Sequence, residues 1–174
     1  MPYPHITLDH IPGEHLRGVG LVTQAWAYLE GSLERICWLM LGLQSEASGQ
    51  ALTTHMTHRS QYDAALALVH DQFPDSEPEK KLRGLQNTLT ACLAGKRNNI
   101  VHSRLHGLPE GTFRIVYKAR GKIRKETERA ELEEYESAAR EIIAATNEVI
   151  DILNELIEMV RIRDGAVPPW CDRP

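Results

Sequence analysis

Residues 94–107 read AGKRNNIVHSRLHG and crowd a lysine, two arginines, two adjacent asparagines and two histidines around one apolar pair, Ile100 and Val101. Arg97 brings a fixed positive charge and a planar fork of donors that fits a phosphate. His102 brings an imidazole, the side chain suited to taking and giving a proton near neutral pH. Asn98 precedes His102 by four residues, so on a helix the two share a face, and its amide can orient the imidazole or bond a phosphate oxygen. Arg97 precedes His102 by five residues, which is about 140° around an ideal helix. Bringing both onto one substrate then takes a long arginine arm, a distorted last turn or a second subunit. The ordinary alternative is a polar helix end, where cations favour the macrodipole.

More cations follow in sequence. Lys96, Arg104 and His106 flank the motif, and Lys118, Arg120, Lys122, Arg124 and Lys125 come soon after. Lys96, Arg104, His106, Lys118, Arg120 and Lys122 are the candidate RNA-contacting residues, a local basic surface in a chain whose net charge is −4. Glu30 and Glu34 on the first helix are candidate partners for Arg97. His102 and His106 stand at i and i+4, a helical spacing able to hold Zn²⁺, but no cysteine or third ligand lies nearby. No metal and no cofactor are expected. The glycines form no phosphate-cradling fingerprint.

Arg97-Asn98-Asn99-Ile100-Val101-His102 resembles the signature of HEPN domains: an arginine, a polar residue after it, and a histidine a few residues on, preceded by an apolar pair. The resemblance implies a helical bundle with the motif near the end of a late helix. It also implies a metal-independent endoribonuclease working as a homodimer, with the two motifs forming one composite site, possible toxin or defence activity, and an antitoxin or regulatory protein as a further partner. Carried over, His102 is general base or acid, Arg97 stabilises charge on the phosphorane, and Asn98 holds geometry, all three being catalytic. Other members of that family are non-catalytic modules that bind RNA or a protein, and that is the alternative reading here.

The elements that must position these residues are helical. Val19, Val22, Trp26, Leu29, Leu33, Ile36, Met40 and Leu43 step by threes and fours, which predicts a first helix of roughly 30 residues, ~45 Å long. Residues 44–59 lack clear period and are expected to be a loop with at most a short helix. A second helix is predicted over 60–72, ended by Pro74. Ser76-Glu77-Pro78-Glu79 has the form of a capping box and opens a third helix that should run to about His106. From Thr112 the period is two, with Phe113, Ile115 and Tyr117 alternating with Arg114, Val116 and Lys118, so a small hairpin is predicted. Thr127 is the expected cap of a last long helix carrying Leu132, Tyr135, Ala139, Ile142, Thr146, Val149, Leu153, Leu156 and Val160. The fold class is therefore all-α: an up-and-down four-helix bundle over 13–164, with a hairpin insertion before the last helix. An extended arm at 1–12 precedes it and a loose tail at 165–174 follows.

Length and composition fit this. The chain has 174 residues, 42% hydrophobic and 25% charged, enough for one core without staples. Cys37, Cys92 and Cys171 are odd in number and far apart, which suggests reduced thiols, the first two in apolar helical surroundings. The start of the chain lacks the pattern of a signal peptide, and the most apolar run, 36–43, is far short of the roughly 20 residues of a membrane span. A cytoplasmic protein that does not engage membranes is expected.

Overall fold

The first helix ends because of one glycine. In the computed structural model, which describes residues 8, 10–119 and 123–172, α1 spans Gly13–Met40. Gly42 adopts φ +63° just beyond it. The Gly42 amide donates to Leu39 O and the Leu43 amide to Trp38 O, both at 3.0 Å. This pair of bonds closes the last turn in the Schellman manner and needs the left-handed conformation that glycine adopts without strain. The predicted stripe is the buried one: Val22, Trp26, Leu29, Leu33, Ile36 and Met40 are all inside.

Short helices follow, each opened by a hydroxyl. Helix α2 is Glu46–Thr53, capped by Ser45 Oγ, where mostly loop was expected. Helix α3 is His58–Gln72, capped by Thr57 Oγ1, and it stops before Pro74. Helix α4 is Glu77–Gly84, with the Glu79 amide donating to Ser76 Oγ at 3.3 Å. The capping box is completed differently from the usual pattern: the Glu79 carboxylate accepts from the Asp75 amide at 2.7 Å.

The third helix departs from its predicted length. After α5 (Gln86–Ala91) the backbone widens into a π-helix at Cys92–Arg97, tightens to a single turn, α6 (Asn98–Val101), and then leaves helical geometry. Residues Arg104–Leu108, expected to end the helix, form strand β1. Their accessibility alternates, with Arg104, His106 and Leu108 exposed and Leu105 and Gly107 half-buried. The sheet therefore has three strands: β1, β2 (Gly111–Ala119) and β3 (Ile123–Arg129), antiparallel and in that order. The predicted hairpin is β2–β3. Thr127 lies in β3 opposite Ile115 and does not cap the last helix, which starts five residues later as α7 (Leu132–Asp164).

Contacts group the chain into two compact units, one of residues up to Ala25 with Thr90–Glu141, the other of Trp26–Leu89 with the residues from Ile142 onward. In the first unit, the opening turns of α1 and α7 meet. His15 Nε2 lies 2.8 Å from Ala130 O, and the His15 and Tyr135 rings form a T-shaped pair at 6.0 Å. A Cβ on Gly18 would lie 2.9 Å from the Tyr135 ring, so the close approach depends on glycine. The inward positions of β2 here are Thr112 and Arg114. The Arg114 fork is held by Glu128, opposite it in register, and by Glu134 at 2.7 Å. Paired this way, a buried guanidinium keeps its charge partnered.

In the second unit, the core joins α1 to the helices that follow it. Tyr62 Oη donates to Leu82 O at 3.0 Å, and Cys37 is buried, its thiol pushed up to about 12, chiefly by burial. The chain's end is not loose through Asp172. Pro169–Asp172 make a 3-10 turn, and buried Trp170 donates to Leu43 O at 2.8 Å and meets Trp38 edge-on. Among the described residues no helix is long and apolar enough to cross a membrane.

Candidate functional site

The three motif residues converge within a single chain. The π-helix ends on Arg97, so the uniform helix assumed for a 140° separation does not exist here. Wide turns of this kind recur where a helix carries function. Helix α6 then lasts one turn, and His102 leaves it at φ −99°, ψ 0° while its amide still donates to Asn98 O at 3.2 Å. Buried Ile100 anchors that turn in the core, and Ser103 Oγ donates to Ile100 O at 3.0 Å. With the backbone fixed this way, Arg97 Nη1 donates to Asn98 Oδ1 at 2.9 Å and lies 2.8 Å from His102 Nε2.

That last contact fixes the imidazole's form. A guanidinium has only donors and does not lose its proton, so Nε2 must be the acceptor and the ring proton must sit on Nδ1. A neutral, exposed imidazole thus sits against a half-buried arginine, with an asparagine oxygen sharing the same Nη1. The trio offers a base, a cation and an orienting amide. Phosphoryl chemistry uses that combination.

The predicted basic surroundings are only partly assembled. Arg104 and His106 are exposed and both point to the same side of β1, since alternate strand residues share a face. The His106 ring centroid lies 6.3 Å from that of His10, and a Cβ on Gly107 would lie 1.7 Å from His10 O, so the segment before α1 rests directly on β1. Lys96 instead forms an ion pair with Glu141, whose carboxyl its ammonium holds below the usual range. Lys118 lies in β2 opposite Arg124 in β3. Arg120 and Lys122 lie outside the described residues, as does most of the arm predicted at 1–12.

Glu34 accepts from Gln61 at 2.9 Å and from Gln50 at 3.5 Å. The helical i, i+4 spacing considered for His102 and His106 is not realised, because the helix ends at Val101. Among the described residues no group of three or more His, Cys, Asp and Glu side chains is placed to hold a metal ion. Sequence reasoning missed the Arg114 hub. Its signal was the Arg114–Glu128 cross-strand pair, which becomes visible only once the register is known.

Comparison with known proteins found no matching family model, no similar curated protein and no similar solved structure.

Proposed function

We propose that this chain is a HEPN-like, metal-independent endoribonuclease whose reacting groups are Arg97, Asn98 and His102. The observation that carries the reading is the meeting of Arg97 Nη1 with both His102 Nε2 and Asn98 Oδ1, within 3 Å, at an exposed imidazole. An incoming phosphodiester draws the Arg97 fork onto its non-bridging oxygens, a better acceptor for a guanidinium than a neutral ring nitrogen. That frees Nε2 to take the proton of the adjacent ribose 2′-hydroxyl. The 2′-oxygen attacks phosphorus and the P–O5′ bond breaks with its electron pair on O5′, which is protonated to a 5′-hydroxyl. The other product ends in a 2′,3′-cyclic phosphate. Arg97 stabilises the charge that builds on the phosphorane, and general base catalysis of this sort contributes about 10²–10⁴-fold. The resemblance also implies a homodimer with twin trios at one basic crevice, a cytoplasmic toxin or defence role, and an antitoxin or regulatory partner. These belong to the same proposal.

The competing reading, a non-catalytic module that binds RNA or a partner protein, draws on one observation: in the ligand-free chain the nitrogen needed for proton transfer is occupied by Arg97. Incubating the purified protein with RNA in EDTA and analysing the product ends separates the two. The ribonuclease reading expects 2′,3′-cyclic phosphate and 5′-hydroxyl ends. Tight RNA binding without cleavage would favour the module, and 5′-phosphate ends would contradict the mechanism.

A further inference from the structure

Helix α7 carries two stripes. Ile142, Val149, Leu153, Leu156 and Val160 form the buried one. The second consists of Ile143, Asn147, Ile150, Asn154 and Ile157, at steps of four, three, four and three, the spacing of a coiled-coil seam. Ile143 is 43% and Ile150 39% exposed, Asn147 and Asn154 are exposed, and Ile157 is half-buried. Beside this stripe runs α1, with Tyr28, Gly31 and Arg35 on its bank, and the two helices enclose an open groove of about 620 Å³.

The stripe reads the same in both directions: Ile, Asn, Ile, Asn, Ile. We infer that it is the seam on which a second copy of this chain packs, α7 against α7 and antiparallel, with the two-fold axis at Ile150. A two-fold interface is isologous, so whatever one copy offers must match itself reversed. Here Ile143 meets Ile157 of the other copy, Asn147 meets Asn154, and Ile150 meets its own counterpart. An asparagine amide both donates and accepts, so two of them satisfy each other, and a polar residue at such a seam fixes the register.

Charge complementarity continues beyond the stripe on the same continuous helix. Glu136 and Arg140 precede it and Glu158 and Arg161 follow it, paired at present only within each end. Antiparallel pairing about Ile150 brings Arg140 within about 3 Å along the axis of Glu158 of the other copy, and Glu136 within about 4.5 Å of Arg161, at 1.5 Å per residue. Long side chains span both offsets. A parallel arrangement would set like ends together.

This surface deepens the homodimer named above and rests on that reading only for what the assembly is for. Dimerisation is measured without RNA, so its failure and a failure of cleavage are read separately. The test uses the full chain with Cys171→Ser, because Cys171 lines the groove. Sedimentation equilibrium over a concentration series is expected to give twice the chain mass. Oxidation is expected to link Ile150→Cys to itself at least tenfold more than Ile143→Cys, whose counterpart lies about 20 Å away. The double variant Ile143→Cys, Ile157→Cys links as readily as Ile150→Cys. Ile150→Glu is expected to be a monomer with unchanged circular dichroism. A chain that stays monomeric at every concentration overturns the inference, and so does a dimer in which Ile150→Cys fails to cross-link.

Discussion

Arg97 Nη1 lies 2.8 Å from His102 Nε2 while donating to Asn98 Oδ1 at 2.9 Å. One nitrogen of the guanidinium therefore ties the asparagine and the histidine together, and the rest of the fork is directed by that attachment. A lysine would keep the charge but lose the planar fork. Arg97→Lys is expected to bind RNA within about threefold of the parent, since affinity for the backbone is mainly charge, yet to cleave it about 10²-fold more slowly. Filter binding and single-turnover cleavage, measured together, check this. Equal losses in both would assign Arg97 to binding alone.

Buried Glu79 is the second test. It accepts from Arg83 at 2.6 Å, from the Asp75 amide at 2.7 Å and from His70 at 3.0 Å. The Arg83 guanidinium, more than any other partner, holds its carboxyl below the usual glutamate range, with the amide and imidazole adding to this against the opposing effect of burial. A lowered carboxyl contributes stability that is present above the unfolded-state value and is lost as pH falls through the folded one. Glu79→Gln is thus expected to lower Tm at pH 7, and the gap from the parent should close as pH drops below about 4. Thermal melts across pH measure it, and a constant gap would contradict the assignment.

Arg114 is buried while its partners Glu128 and Glu134 are 39% and 43% exposed. Removing the arginine leaves carboxylates that water still reaches, so the cost falls below that of a fully buried broken pair. Arg114→Ala is expected to destabilise by about 1–3 kcal/mol in urea unfolding. A change under half a kcal/mol would show the hub to be incidental.

Gly107 has no room for a side chain, because its Cβ would sit 1.7 Å from His10 O. Gly107→Ala must push the segment before α1 off β1, at about 1–3 kcal/mol if β1 holds its place. A lowered Tm together with altered His10 and His106 resonances in NMR spectra is the expected result. An unchanged spectrum would place that segment elsewhere in solution.

The stripes that bury Leu29, Leu33, Ile142 and Val149 were legible because three-four spacing marks one helix face whatever packs on it. Spacing says nothing of a neighbour's direction, so the meeting of His15 with Tyr135 at the starts of both long helices was not readable. Arg104–Leu108 was taken for helix because His102 and His106 imitate an i, i+4 pair. With no apolar anchor on one face, the segment instead satisfies its backbone against Thr112–Ile115. Trp170 was assigned to a loose tail because the prolines around it suggested no element, yet a buried indole needs a partner for its N–H and finds Leu43 O. The motif residues were all visible. Their convergence was not, since it depends on a π-turn that no residue pattern announced.

The account stands most directly on one measurement: the rate at which purified protein cleaves a single-stranded RNA in EDTA, compared among the parent, His102→Ala and Arg97→Ala. Circular dichroism confirms that each is folded. Loss of at least about 10²-fold in both variants is the expected result. Cleavage that persists at the parent rate in either one, or a parent chain that leaves RNA intact, would contradict it.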